Sequence, residues 1–123
     1  MILVDTSIWI DHLHTAEPAL VDLLGRAEVG CHRFVIEELA LGSIKRRIEV
    51  LELLGQLSAF PALTHDEVLK LVDGKRLWGH GLSSVDAHLL GSVAVVSGAK
   101  LWTRDKRLVA VSRQLGVEFD ADQ

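Results

Sequence analysis

The chain has 123 residues, of which 49% are hydrophobic, and its 17 acidic and 13 basic residues give a net charge of −4. This length is usual for one domain with a single core, so we expect one domain over residues 1–123. The negative charge argues against a protein that holds nucleic acid by its overall charge. If four of the acids hold a cation, however, the remaining thirteen balance the thirteen bases.

No apolar stretch reaches the roughly 18–20 residues that span a bilayer. The longest candidate, residues 87–99, is interrupted by Gly91 and Gly98. The N-terminus has no basic segment ahead of its apolar run, so we expect no signal peptide. Cys31 is the only cysteine and can form no disulfide within the chain, which fits a reducing compartment. We therefore expect a cytoplasmic protein with no membrane segment.

The first element is an apolar run over residues 1–4, which ends at Asp5. A short continuous apolar run of this kind is typical of a buried parallel strand. In open α/β sheets, ligands bind just beyond the carboxyl ends of the strands. We therefore expect Asp5 to stand at the mouth of a site.

The rest of the first half alternates helices with short strands. Proline is tolerated in the first turn of a helix, so Pro18 marks the start of the second helix. Gly30 and Gly55 interrupt the helical pattern. The predicted elements are helices over residues 7–14 and 18–27, a strand over 31–35, helices over 36–41 and 44–54, and a strand over 57–60.

The second half contains two capping-box signatures, which mark helix starts. They are Thr64 with Glu67 and Ser83 with Asp86. The remaining predicted elements are a flexible connector at residues 79–81, a strand that ends at residue 103, a helix over 106–115 and an edge strand over 116–119. Strands that alternate with helices predict a three-layer α/β/α fold around a central, mainly parallel sheet.

Four acids have settings that suggest a cation site, and we call them the acid quartet. Asp105 follows the late strand as Asp5 follows the first. Glu38 and Asp86 lie in largely apolar helical segments, where a carboxylate is costly unless it is paired or binds a cation. Carboxylate oxygens favour Mg²⁺ or Mn²⁺. The alternatives are a helix cap for Asp105, a helix-dipole partner for Asp86, and an exposed position for Glu38, with Glu37 as its rival.

The segments that carry these acids resemble the four motifs of PIN-domain ribonucleases, and most closely those of the VapC toxins of bacterial toxin–antitoxin pairs. They are ILVDTSIWID at residues 2–11, ELALG at 38–42, GLSSVDAHLL at 81–90 and LWTRDKRL at 101–108. The resemblance extends over residues 1–116, and it favours Glu38 over Glu37 because LALG follows Glu38 directly.

This resemblance implies a PIN-like fold and a Mg²⁺- or Mn²⁺-dependent endoribonuclease, a hydrolase that is the toxic component of a type II toxin–antitoxin system. The catalytic and metal-binding residues that it implies are Asp5, Glu38, Asp86 and Asp105. It also implies that Thr103, with Thr6 or Ser7, orients the carboxylates or water. The implied partners are an RNA substrate, a small VapB-like antitoxin and a second copy of the chain in a homodimer.

Basic side chains near the predicted site are candidates for contact with the RNA backbone. Arg76 and His80 precede the segment of Asp86, and Arg104 and Lys106 flank Asp105. Contacts of this kind give affinity and salt dependence with little recognition of base sequence.

Three other functions are compatible with parts of the pattern. A haloacid-dehalogenase-type phosphotransferase needs a second Asp two residues after the first, where this chain has Ser7. A phospho-acceptor signalling domain needs an Asp at the end of a strand in mid-chain, and the sequence shows none there. A catalytically silent PIN-like domain that binds RNA or protein is the main alternative, and the complete acid quartet argues against it.

Overall fold

The computed structural model describes residues 1–121 of the chain. Its centre is a four-stranded sheet in which every pair of neighbouring strands is parallel. The strands are β1 (Ile2–Val4), β2 (Val29–Cys31), β3 (Ser58–Ala59) and β4 (Lys100–Trp102). Their order across the sheet is β3-β2-β1-β4.

Helices connect and cover these strands, which completes the predicted three-layer α/β/α architecture. They are α1 (Thr6–His14), α2 (Pro18–Gly25), α3 (Arg33–Ala40), α4 (Arg47–Gln56), α5 (His65–Lys75), α6 (Ser84–Ala94) and α7 (Lys106–Gln114). Among the helices of residues 1–121, none combines the length and apolar character needed to cross a membrane.

The position of β1 explains why its sequence is continuously apolar. It lies between β2 and β4 and is covered on both faces, and Leu3 and Val4 expose no surface. Burial of one such side chain stabilises the fold by about 1.5–3 kcal/mol. Other residues with no exposed surface pack in the same core: Ile8, Leu20, Val35, Leu89, Leu90, Leu101 and Leu108. The apolar run therefore fixes β1 at the centre, with its carboxyl end beside that of β4.

Both predicted capping boxes are confirmed. The Thr64 hydroxyl accepts from the backbone N–H of Glu67, and the Glu67 carboxylate accepts from the backbone N–H of Thr64. Ser83 and Asp86 form the same reciprocal pair at the start of α6. Each box satisfies amides that the first turn of a helix leaves free.

The predicted strand over residues 31–35 is wrong. The strand is β2, which ends at Cys31, and α3 begins at Arg33 because the His32 Nδ1 atom accepts the Phe34 N–H at 3.0 Å. Gly30 lies inside β2. The Phe60 ring packs against its Cα and leaves no room for a side chain there. A Cβ atom at this position would lie 2.4 Å from Phe60 Cε2.

The predicted edge strand over residues 116–119 is reduced to a single parallel bridge between Leu101 and Glu118. Two hydrogen bonds form it: Leu101 N–H donates to the Val117 carbonyl at 2.7 Å, and Phe119 N–H donates to the Leu101 carbonyl at 2.9 Å. The Phe119 ring also packs edge-on against Trp102. The C-terminal segment thus covers the outer side of β4.

Candidate active site

Asp5 is the buried centre of the candidate site. It caps α1, and only 8% of its surface is exposed. Its Oδ1 atom accepts the Thr6 N–H at 2.8 Å, and its Oδ2 atom accepts the hydroxyls of Thr103 at 2.7 Å and Ser7 at 3.3 Å. Three donors, two on α1 and one in the turn after β4, therefore fix the orientation of this carboxylate.

Burial raises the pKa of Asp5 above its ordinary value, against the lowering effect of the hydrogen bonds from Thr103 and Thr6. The negative charge of Asp86 raises it further, so the two carboxylates lie near enough to repel each other. A bound cation would relieve both the desolvation and the repulsion.

Asp105 is joined to Asp5 through Thr103. The Thr103 hydroxyl donates to Asp5 and accepts the Asp105 N–H at 3.1 Å. The Asp105 Oδ1 atom accepts the N–H groups of Arg107 and Leu108, both at 3.0 Å, and so caps α7. Asp105 is therefore a helix cap, as the alternative reading of the sequence allowed. The cap uses one oxygen of a carboxylate that remains exposed.

Asp86 likewise takes part in a helix cap and acts on Asp5. Its Oδ2 atom accepts the Ser83 N–H at 3.0 Å, within the capping box of α6. Its charge acts on Asp5 at the same time. The residue is half-buried, and no hydrogen bond to its second oxygen is found within residues 1–121.

Glu38 reaches the site from α3 through Thr6. The Thr6 hydroxyl donates to Glu38 Oε1 at 2.7 Å, while the Thr6 N–H donates to Asp5. Glu37, by contrast, makes no side-chain hydrogen bond or ion pair in the described part of the chain. The contact with Thr6 therefore distinguishes the two neighbours in favour of Glu38.

The donor chemistry of the acid quartet suits a hard divalent cation, because carboxylate oxygens are the ligands that Mg²⁺ and Mn²⁺ prefer. Each of the other three acids is connected to Asp5 by a shared hydroxyl residue or by its charge. In residues 1–121, no three His, Cys, Asp or Glu side chains form a ready-made metal group. The site thus has suitable donors around Asp5, two of them on exposed side chains.

Three of the residues predicted to contact RNA, Arg76, His80 and Lys106, lie on exposed positions. Arg76 ends α5 in the left-handed conformation with φ 52°, and its carbonyl lies 3.1 Å from His80 Nε2. Both residues lie between α5 and α6. Lys106 is the first residue of α7, directly after Asp105.

Arg104 lies differently, since its guanidinium contacts two carboxylates. It donates to Asp11 on α1 and lies 2.8 Å from Glu17 Oε1. These partners were not among the predicted site residues. The only sequence signal for them is the position of Asp11, one helical turn after Ser7 on the same face of α1.

Arg107 is a second basic residue that the sequence did not single out. Its side chain packs against Gly81, which has φ 76°. A Cβ atom at this glycine would lie 2.8 Å from Arg107 Cδ. The connector before α6 therefore lies against the first turn of α7, which brings the elements of Asp86 and Asp105 together.

A parallel sheet with carboxylates beyond β1 and β4 is the architecture expected of a PIN-type nuclease. The family model described as the PIN domain matches residues 2–114, so the chain belongs to the PIN-domain family. Within this family it is similar to Ribonuclease VapC32 of Mycobacterium tuberculosis, from strains H37Rv and CDC 1551. Each is 66% identical over 117 residues, which cover 95% of this chain and 94% of the relative. The resemblance to VapC proteins that the four motifs indicate is confirmed.

A solved structure supports the fold independently of the close relatives. The crystal structure of PAE2754 from Pyrobaculum aerophilum aligns with a TM-score of 0.66 and covers 98% of this chain and 89% of that chain. Sequence identity is 20%, so this likeness concerns the fold. The predicted α/β/α architecture is confirmed.

Proposed function

We propose that this protein is a Mg²⁺- or Mn²⁺-dependent endoribonuclease of the VapC type, and that the acid quartet provides its catalytic and cation-binding residues. One observation carries the proposal: the buried carboxylate of Asp5 is the point to which the other three acids connect. Thr6 links it to Glu38, Thr103 links it to Asp105, and Asp86 acts on it by charge.

The arrangement favours a cation for an electrostatic reason. Asp5 is buried beside a second carboxylate, and no basic side chain donates to it in the described part of the chain. A divalent cation held by the quartet would supply an activated water and neutralise charge on the phosphodiester. The residues fit that group because all four side chains offer hard oxygen donors.

The hydroxyl residues orient the acids. Thr103 and Ser7 both donate to Asp5 Oδ2, which holds that carboxylate in one rotamer. Thr6 uses its N–H on Asp5 and its hydroxyl on Glu38. Such supporting hydrogen bonds typically contribute about 10–100-fold to metal affinity or activity.

The RNA backbone would lie across the exposed rim of the site. Lys106 follows Asp105 directly, and Arg76 and His80 lie between α5 and α6. Arg76 and Lys106 supply local positive charge in a chain whose net charge is negative. Their contribution would be affinity for phosphate with little sequence selectivity.

The proposed biological setting is that of a cytoplasmic type II toxin, with a VapB-like antitoxin and a homodimeric state. The identity to proteins named VapC supports it, as does the chemistry of the site, since clustered carboxylates are suitable receptors for an antitoxin arginine. Copurification with the product of a neighbouring gene is the expected result. A protein that is harmless when expressed alone and remains an active monomer would contradict this setting.

Cleavage assays test the enzymatic proposal. The purified protein is incubated with structured and single-stranded RNAs and Mg²⁺ or Mn²⁺, beside an EDTA control. Asp5→Asn is compared with Asp66→Asn, an equal change of charge on an exposed residue in the first turn of α5. We expect metal-dependent cleavage by the wild type and Asp66→Asn only. Cleavage that survives in Asp5→Asn would contradict the assignment, and RNA binding without any cleavage would favour the silent PIN-like alternative.

A further inference from the structure

Arg104 stands between two residues of the site, Thr103 and Asp105, yet its side chain points to neither. Its guanidinium donates to Asp11 Oδ2 on α1 and lies 2.8 Å from Oε1 of Glu17, the residue just before α2. One planar cation thus bridges a carboxylate of α1 and a carboxylate at the start of α2. The three side chains together carry a net charge of −1, so they offer no surplus positive charge to a phosphate.

The backbone of Arg104 makes a second attachment to α1. Its N–H donates to the Ser7 hydroxyl at 3.3 Å, and the same hydroxyl donates to Asp5 Oδ2 at 3.3 Å. Ser7 and Asp11 are one helical turn apart. Arg104 is therefore held on one face of α1 at two points, one of which is directly joined to Asp5.

The turn that Arg104 occupies decides where Asp105 lies relative to Asp5. Residues 103–105 connect β4 to α7 without regular secondary structure. The hydrogen bonds of the Asp105 carboxylate within residues 1–121 go to its own helix. The position of Asp105 relative to Asp5 thus depends on the hydrogen bonds that hold the turn, which are those of Thr103 and Arg104.

We propose that Arg104 is a positioning residue that ties the β4–α7 turn to α1 and thereby holds Asp105 in place beside Asp5. This role rests on the proposed function. It takes the place of the direct RNA contact that the sequence predicted for Arg104. Arginine suits it because its rigid fork of donors can serve two carboxylates at once, whereas lysine presents a single point charge.

The variants are chosen to separate positioning from phosphate binding. Arg104→Ala removes the bridge, and Arg104→Lys keeps the charge without the fork. The double variant Asp11→Asn with Glu17→Gln removes the partners and frees the arginine. Arg26→Ala is the matched control, since Arg26 also bridges two carboxylates, Asp22 and Glu28, at the exposed C-terminal end of α2.

RNA cleavage kinetics over a range of salt concentrations provide the first measurement. We expect Arg104→Ala to lower kcat about tenfold, with KM and the salt slope unchanged, because displacement of a reacting group affects the chemical step. Arg104→Lys should recover part of kcat, and the double variant should lose kcat although Arg104 is present. A phosphate contact would instead raise KM and reduce the salt slope by about one.

Mn²⁺ binding without RNA provides the second measurement and does not depend on turnover. Loss of a positive charge near the quartet would by itself strengthen cation binding. Positioning requires the opposite, so we expect Arg104→Ala to weaken Mn²⁺ binding several-fold, with Arg26→Ala unchanged.

The outcomes separate this inference from the proposed function. If the wild type binds Mn²⁺ and cleaves RNA while Arg104→Ala and the double variant match it in kcat and Mn²⁺ affinity, the inference is overturned and the proposed function stands. If the wild type neither cleaves RNA nor binds Mn²⁺, the proposed function fails first. Circular dichroism confirms that each variant is folded, and Arg104→Lys provides the test should Arg104→Ala not fold.

Discussion

The two strand-end acids and the two helix-borne acids of the quartet are held in different ways. Asp5 and Asp105 follow neighbouring parallel strands and share one hydroxyl, that of Thr103. Glu38 and Asp86 lie on helices instead, on α3 and in the first turn of α6. Within residues 1–121, the link of Glu38 to Asp5 runs through Thr6, and that of Asp86 runs through its charge.

This difference shows which part of the site the backbone determines. The strand side is fixed by sheet register, because Asp5 N–H donates to the Trp102 carbonyl at 2.9 Å and continues the β1–β4 ladder. The helix side depends on how α3 and α6 pack. Asp5 would therefore hold a divalent cation at a position that the sheet determines, and the exposed carboxylate of Glu38 would supply a further oxygen donor.

The largest expected effect comes from Asp5→Asn, which should change activity and stability in opposite directions. We expect cleavage to fall about a thousandfold or more, since a ligand at the centre of the site is lost. With EDTA present, the melting temperature should rise, because burial and Asp86 disfavour the charged form of Asp5. Calorimetry beside the cleavage assay checks both, and a variant less stable than the wild type would contradict the burial argument.

The difference in melting temperature between Asp5→Asn and the wild type depends on pH. The pKa of Asp5 in the folded state is raised above its ordinary value of 3.8. The folded state therefore binds a proton at Asp5 more tightly than the unfolded state does. The penalty on the wild type is complete above the raised pKa and disappears as the pH falls through it towards 3.8. The advantage of Asp5→Asn in melting temperature should therefore shrink on acidification in EDTA.

The helix side is tested by comparing Glu38→Gln with its neighbour Glu37→Gln. We expect Glu38→Gln to lower cleavage about a hundredfold through loss of a charged ligand, with the free energy of unfolding within about 0.5 kcal/mol of wild type. Glu37→Gln should retain activity, because Glu37 has no contact with the Asp5 group in the described chain. Equal losses in the two variants would remove the distinction based on Thr6.

The link within the strand side is tested by Thr103→Val, which keeps shape and removes the hydroxyl. We expect about a tenfold loss of cleavage and about 1–2 kcal/mol of stability, since the Asp105 N–H loses its acceptor. Ser112→Ala is the matched control, because its buried hydroxyl donates to the Val109 carbonyl away from the site. It should cost stability without affecting cleavage; unchanged kcat in Thr103→Val would show that the shared hydroxyl is dispensable.

The smallest expected effect belongs to the exposed rim. Lys106→Ala should raise KM about threefold at low salt and leave kcat unchanged, because a surface phosphate contact is screened by ions. Salt titrations of KM measure it, with Lys75→Ala at the end of α5 as a comparison. An effect independent of salt would argue against a phosphate contact.

Much of the fold could be predicted because its signals are local. The apolar run before Asp5 and the capping boxes at Thr64 and Ser83 each lie within a few residues of sequence. The limits of β2 could not be predicted in this way. They depend on Phe60, which packs onto Gly30 although it is 30 residues further along the chain, and on His32, an unusual helix cap.

The site shows the same division. The sequence indicated the four acids and the supporting hydroxyl residues, since each lies in a recognisable segment. It did not indicate the bridge from Arg104 to Asp11 and Glu17, because an ion pair between side chains far apart in sequence depends on the tertiary fold and not on local spacing. It also gave no sign that Arg107 packs on Gly81.

The measurement that tests the central claim most directly is Mn²⁺ binding to the free protein, by titration calorimetry or electron paramagnetic resonance. The wild type is compared with Asp5→Asn, Glu38→Gln, Asp86→Asn and Asp105→Asn, and with Glu37→Gln and Asp66→Asn as controls. If the quartet holds the cation, each of the four variants weakens binding by about tenfold or more, and the controls bind as the wild type does. Undiminished binding by Asp5→Asn would contradict the claim.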